Sequence, residues 1–170
     1  MIVQKQSIEL SAVANRRENR MTSVNFVGKI KIMAQIEGGC LCGAVRYKSD
    51  SEPVLTAICH CKHCQKQAGS AFSIVLAVPR GSLAVTGAEL KSYEDTTESG
   101  QYLYRKFCGN CGSPIISDAG LLPDLLFIKA GTLDDATWLK PEIQIWGTHQ
   151  LPCAELKGDV PKVAGNPPTE

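Results

Sequence analysis

The chain is expected to fold as a mainly antiparallel β domain, and three observations carry that expectation. Short runs rich in β-branched and aromatic residues recur between clusters of Gly, Pro, Asp and Ser. No long stretch keeps a 3.6-residue apolar period, and no alternation of strand and helix patterns suggests a doubly wound sheet. Cysteines fall in tight groups on the edges of the strand-like runs, as they do where a metal ties short strands together.

The strands are expected at Ala44–Tyr47, Val54–Ile58, Phe72–Val78, Leu83–Thr86, Tyr102–Phe107, Leu125–Lys129 and Glu142–Trp146. Helix is expected only as short turns, around His63–Ala68 and around Asp134–Leu139, the latter with Thr132 or Asp134 as N-cap. The closing segment, Asp159–Glu170, holds Pro161, Pro167 and Pro168 and should trail off as a Pro-rich tail. Residues 1–33 form a different kind of segment. Six basic and two acidic residues within the first 32 give it a charge of +4, no apolar period is sustained, and a disordered basic leader is expected. Met33 stands directly before the first organised segment, so the natural start of the chain is an open question at this level. The organised domain is then 34–158.

Composition removes several classes of function. The 170 residues suit one domain, and 44% hydrophobic with 21% charged residues is the balance of a folding chain. A net charge of +1 gives no field for gathering nucleic acid, so no nucleic-acid partner is expected. The longest apolar runs, such as Ile74–Val78, fall far below the ~20 residues of a membrane span. No secretory signal pattern is present, and Glu9 and Glu18 interrupt what a mitochondrial presequence would keep free of acids. The expectation is a cytoplasmic chain without a membrane partner.

Seven of the eight cysteines lie in three groups, Gly-Gly-Cys40-Leu-Cys42-Gly, Cys59-His-Cys61-Lys-His-Cys64 and Phe-Cys108-Gly-Asn-Cys111-Gly. In extended chain, residues two apart point the same way, so Cys40 and Cys42 can chelate one ion, with Gly39 and Gly43 letting the backbone bend around it. Cys108 and Cys111 have the spacing of a zinc knuckle. Together they make a closed four-sulfur set, the arrangement of a structural zinc. Cys59, Cys61 and Cys64 are three, and three protein ligands leave a position for water or substrate, which is the pattern of catalytic zinc. A thiol substrate would be held there as thiolate. Two zinc ions per chain are therefore expected.

Other uses of the cysteines fit the sequence less well. Eight in 170 is about one in twenty, below the density of disulfide scaffolds. A Cys-x-x-Cys redox pair lacks the βαβ surroundings it needs, and the spacings do not match ferredoxin clusters. His60, His63 or His149 could close the three-cysteine set, although His60, between two ligands, should point away. Cys153 stands alone and is read as a free or buried thiol.

The segments GGCLCGAVRY, CHCKHCQKQAGSAF and FCGNCGSPI, in this order and spacing, resemble the glutathione-dependent formaldehyde-activating enzyme family, whose domain is shared with centromere protein V. The resemblance covers roughly Ile36–Lys157. It implies an Mss4-like fold of coiled antiparallel sheets, a structural zinc on Cys40, Cys42, Cys108 and Cys111, and a second zinc on Cys59, Cys61 and Cys64. It also implies a carbon–sulfur lyase or synthase joining glutathione and formaldehyde to S-(hydroxymethyl)glutathione. Arg46, Arg80 and Arg105 are candidates to meet glutathione carboxylates, and Ala68, Gly69 and Ser70 to admit the substrate. No catalytic acid or base is identified. Many members carry a tryptophan near the end, where this chain has Leu151-Pro-Cys153-Ala-Glu-Leu156. A non-catalytic, zinc-stabilised Mss4-like binding module is the alternative, and the open coordination position separates the two.

Overall fold

The computed structural model describes residues 36–97, 100–156 and 158–167. The expected leader, residues 1–33, lies outside the described residues. The described residues are mainly β, with ten strands in two sheets among them. β1 (Ile36–Gly39), β2 (Arg46–Ser49) and β5 (Leu83–Thr86) form a three-stranded antiparallel sheet in the order β1-β2-β5. The other strands are β3 (Leu55–Cys59), β4 (Ser73–Pro79), β6 (Leu90–Thr96), β7 (Tyr102–Cys108), β8 (Pro114–Ala119), β9 (Leu125–Lys129) and β10 (Ile143–Ile145). They form a seven-stranded sheet in the order β10-β3-β4-β9-β8-β7-β6. Its pairs are antiparallel except β10 on β3, which is parallel.

Burial explains the order. β4 reads Ser-Ile-Val-Leu-Ala-Val-Pro, an almost unbroken apolar run, and lies inside the sheet with Leu76 and Val78 fully buried. β6 reads Leu-Lys-Ser-Tyr-Glu-Asp-Thr and forms the edge, where one unpaired side faces water and charge is tolerated. The core joins both sheets: Ile36 and Tyr47 from the smaller, with Val45 just before β2, meet Leu76, Val78, Ile115, Ile116, Leu126 and Ile128 from the larger, with Cys40 and Cys108 in the same cluster.

Three strands escape the sequence pattern for identifiable reasons. β1 is four residues ending in two glycines, β6 is a polar edge, and β8 carries Pro114, Ser117 and Asp118, which read as turn residues. Asp118 is buried because two cations reach it: Arg80 Nη2 at 2.5 Å and Lys106 Nζ at 3.1 Å. Opposite β8, the pairing with β7 slips between Lys106 and Phe107, so Ile115 is an extra residue in the ladder and drops fully into the core. This bulge lies immediately before Cys108.

Two expected features differ. Asp134–Leu139 is not a helix. Asp134 instead pairs with Arg46, and Asp135 Oδ1 accepts from the Thr137 N–H at 2.9 Å and its hydroxyl at 2.7 Å, a local turn that competes with helical bonding. The closing segment does not simply trail off. Backbone bonds join Gln144 to Pro161 and Val163, Trp146 to Gly165 and Gly147 to Val163, so the tail is laid along β10. The helix near His63 is present as α1 (Lys62–Ala68), ended by Gly69 at φ 58°.

Two consequences for stability can be measured. Arg80, then Lys106, holds the Asp118 carboxyl below its usual range. A carboxyl lowered on folding stabilises above its unfolded value, near pH 4, and loses that contribution as pH falls through the folded value. Asp118→Asn should therefore cost about 1–3 kcal/mol at pH 7 and flatten the acid limb of thermal stability below pH ~4. An unchanged limb would show that the ion pairs contribute nothing. At Gly38 a Cβ would collide with the Thr132 carbonyl oxygen and the Tyr47 hydroxyl. Gly38→Ala should lower the midpoint of urea denaturation, by at least about 1–3 kcal/mol of stability, and a wild-type midpoint would refute the packing argument.

Candidate metal centres and the cleft beside them

The first cysteine group is built from two knuckles of similar design. Cys40 follows β1, its N–H bonds the Val45 carbonyl at 3.0 Å, and its own carbonyl accepts from Gly43 at 3.0 Å. Cys108 ends β7, its N–H bonds the Ser113 carbonyl at 2.9 Å, and its carbonyl accepts from Gly112 at 2.8 Å. Gly43 and Gly112 both take φ 76°, a left-handed turn at which glycine carries no steric penalty. Each turn brings its pair of cysteines round to the same point. The sulfurs of Cys40, Cys42, Cys108 and Cys111 all lie within 4.8 Å of one another, with Cys40 to Cys42 at 3.5 Å and Cys42 to Cys108 at 3.8 Å.

Those separations suit a single tetrahedral ion, because metal–sulfur bonds of about 2.3 Å place sulfurs about 3.8 Å apart. The donors around the set favour thiolates. The Val45 N–H points at Cys40 Sγ at 3.2 Å and the Asn110 amide at Cys42 Sγ at 3.3 Å. Cys111 is lowered to about 5, first by the Ser113 hydroxyl and then by backbone hydrogen bonding, whereas burial raises Cys108 to about 11. Gly39 is small for a different reason from Gly43: a Cβ there would strike the Val45 carbonyl.

The second group has its own local construction. Cys59 ends β3, Cys61 is the N-cap of α1, and Cys64 sits in the first turn of that helix, with its N–H donating to Cys61 Sγ at 3.3 Å. Strand end, cap and first turn bring the three sulfurs within 4.8 Å of one another. Among the described residues no histidine or carboxylate atom joins them at that distance. His60 is fully buried, with Nε2 on Gln144 Oε1 at 3.1 Å and its ring edge-on to Phe72. His63 turns to Asp95, Nδ1 to Oδ2 at 2.9 Å. His149 stacks on Trp146, while its carbonyl accepts from Gln65 and Lys62 on α1. Cys153 is exposed and belongs to neither group.

A cleft of about 570 Å³ opens next to this cluster, walled by His63, Lys66 and Gln67 of α1 and by Tyr93, Asp95, Arg105 and Phe107 of β6 and β7. Its far rim, Gly112 and Pro114, adjoins the four-sulfur knuckle. Strand register explains the wall. Tyr93 and Asp95 are two apart on β6, Arg105 and Phe107 two apart on β7, and Tyr93 lies opposite Arg105, so all four share one face.

Arg105 links wall and cluster. Its side chain is 5% exposed, and it bonds Asp95 Oδ2 at 2.6 Å, Gln67 Oε1 at 3.1 Å and Cys64 Sγ at 3.8 Å. Burial would raise the Asp95 carboxyl, but Arg105 and then His63 hold it below its usual range. Cys64 is the sulfur most favoured as thiolate. Hydrogen bonds with Cys59 and Cys61 lower it, burial opposes them, and the charges of Lys129 and Arg105 help. The same contacts push Cys59 up.

Of the three arginines singled out from the sequence, only Arg105 reaches the cleft. Arg46 pairs with Asp134 and Arg80 with Asp118. Ala68, Gly69 and Ser70 do not line it. Asp95 and Lys129 were not anticipated, since an acid on a polar strand, next to Glu94, and a lysine ending an apolar one carry no spacing signal.

The profile of the glutathione-dependent formaldehyde-activating enzyme family matches residues 35–149. A Halomonas elongata protein, provisionally named as such an enzyme, is 32% identical over 114 residues, 63% of this chain and 71% of its own length. A crystal structure of a Rhodobacter sphaeroides protein superposes with a TM-score of 0.47 at 21% identity, over 62% of this chain and 92% of that one. With the match running from the start of β1 through the second cysteine group, both knuckles and β10, the chain belongs to the glutathione-dependent formaldehyde-activating enzyme family.

Proposed function

We propose that the chain is a zinc-dependent carbon–sulfur lyase or synthase of the S-(hydroxymethyl)glutathione synthase type. The observation that carries this reading is a set of three converging sulfurs, without a fourth protein donor among the described residues, beside a polar cleft of about 570 Å³. That volume lies in the ~300–1,000 Å³ range of small-molecule pockets. A binding module needs neither the incomplete ligand set nor the cleft.

The four-sulfur set suits a structural zinc and the three-sulfur set a second one, by donor chemistry and by sulfur separation. A zinc at Cys59, Cys61 and Cys64 would supply Lewis acidity that favours the thiolate of a substrate thiol. The net reaction joins sulfur to the carbonyl carbon; the π pair moves to oxygen, and the thiol proton ends on that oxygen. The chain's own residues orient and bind. Lys66, exposed on the wall, faces the cleft as a cation for a glutathione carboxylate, and Tyr93 and Phe107 offer apolar area to its backbone. Asp95, fixed between Arg105 and His63, offers a carboxylate to the glutathione ammonium. Holding the two reactants together converts a bimolecular encounter into a positioned one.

Metal analysis should find about two zinc ions per chain. Cys64→Ser should lose one of them and keep the wild-type circular dichroism spectrum, whereas Cys108→Ser should abolish cooperative unfolding, since a structural zinc contributes roughly 10–16 kcal/mol. A Cys64→Ser protein that unfolds would contradict the division between the sites. For the activity, NMR exchange spectroscopy of glutathione with formaldehyde should show faster exchange when zinc-loaded protein is added. Unchanged exchange at full zinc occupancy would remove this reaction from the chain.

A further inference from the structure

Lys129 ends β9 and is 4% exposed, and its Nζ hydrogen-bonds Ser73 Oγ at 3.3 Å. Among the described residues no carboxylate forms an ion pair with it. A buried ammonium without a counter-charge is strongly disfavoured. The anions that answer it are sulfurs. Ser73 is the register partner of Cys59 across β3 and β4, and Lys129 pairs with Val75 of the same β4, so the ammonium is directed toward the end of the sheet where the three cysteines converge. Burial, with the charge of Arg105 adding to it, holds the lysine below its ordinary value, and the charges of Cys64, Cys59 and Cys61 offset part of that.

The charge balance makes this placement useful. Three thiolates around a divalent ion carry a net charge of −1, and the Arg105–Asp95 pair beside them is neutral. With Lys129 the assembly is neutral before substrate arrives, and a fourth, anionic sulfur takes it only to −1. Without Lys129 that sulfur would have to join a buried centre already at −1, at a cost that low dielectric magnifies.

We propose that Lys129 is a positioning residue of the three-sulfur centre, a buried counter-charge that lets the cluster stay ionised around a divalent ion and still accept an anionic sulfur ligand. The inference rests on the zinc reading of that cluster and extends it to the charge of the ligand it takes.

The test compares zinc-loaded wild type with Lys129→Met and Lys129→Arg. Zinc transfer to a chromogenic chelator reads the metal, and calorimetric titration with glutathione reads the thiol. Lys129→Met should give up one of its two zinc ions about tenfold or more readily, keep the other as wild type does, and bind glutathione about tenfold more weakly. Lys129→Arg, which keeps the charge, should recover most of both losses. If Lys129→Met does not fold, Lys129→Gln, which still reaches Ser73 without a charge, takes its place. Equal zinc retention and equal glutathione affinity in all variants would overturn the inference, as would equal losses in the arginine and methionine variants, which would mark Lys129 as packing alone. Should wild type itself hold no zinc at the three-sulfur centre, the failure lies with the underlying reading, and the two results are told apart before any variant is made.

Discussion

The convergence of four sulfurs from Cys40, Cys42, Cys108 and Cys111 is the constraint on which the rest of the structure depends. These residues come from opposite halves of the domain, with Cys42 and Cys108 separated by 66 in sequence. One pair hangs from β1 in the small sheet and the other from β7 in the large one. Closing a loop of that length costs entropy that no single hydrogen bond returns, whereas an ion shared by the four sulfurs would contribute several times more. The apolar core continues the same junction: Cys40 and Cys108 are buried among Ile36, Val45, Ile115 and Ile116. The sulfurs therefore meet where the two sheets join at one end, where a shared ion would fix how they face each other, and side-chain packing continues the junction along the rest.

That arrangement decides what the second cysteine group sees. β7 has to leave Cys108 at its end, so Arg105, three residues earlier, lies where its guanidinium reaches Asp95, Gln67 and Cys64. β9, two places from β7 in the sheet and paired with β4, directs Lys129 toward the same region. The local Cys-His-Cys-x-x-Cys turn determines that three sulfurs meet, but the charges around them come from other strands of the large sheet, one of which, β7, ends in a cysteine of the four-sulfur group. Stability and chemistry are coupled through β7, which ends in a knuckle cysteine and carries two residues of the cleft wall.

Strand alternation does the remaining work in the cleft. On β7, Arg105 and Phe107 face the cleft while Lys106 turns to the opposite side and neutralises Asp118. A register slip by one would exchange these roles, placing an unpaired acid in the core. The bulge at Ile115 absorbs the extra residue between that paired region and the knuckle, so both can be satisfied at once.

The sequence by itself determined the mainly β class, the family, the three cysteine groups and their division into four and three, because ligand spacing is local and glycine next to cysteine reports a tight turn. It also located most strands that are apolar enough to show, and the short helix around His63. Tertiary structure decided the rest. β1, β6 and β8 are short, polar or turn-like in composition and become strands only because a partner supplies their hydrogen bonds. Asp134–Leu139 has the capping residues of a helix, yet Arg46, 88 positions away, and a local turn at Asp135 take those side chains for other contacts. The parallel pairing of β10 with β3 and the pinned tail are long-range matches with no local signal. The placement of Asp95, Arg105 and Lys129 is also a matter of tertiary structure: Arg105 is only one of three arginines that the sequence offers as candidates, and strand register directs all three residues toward the three-cysteine group.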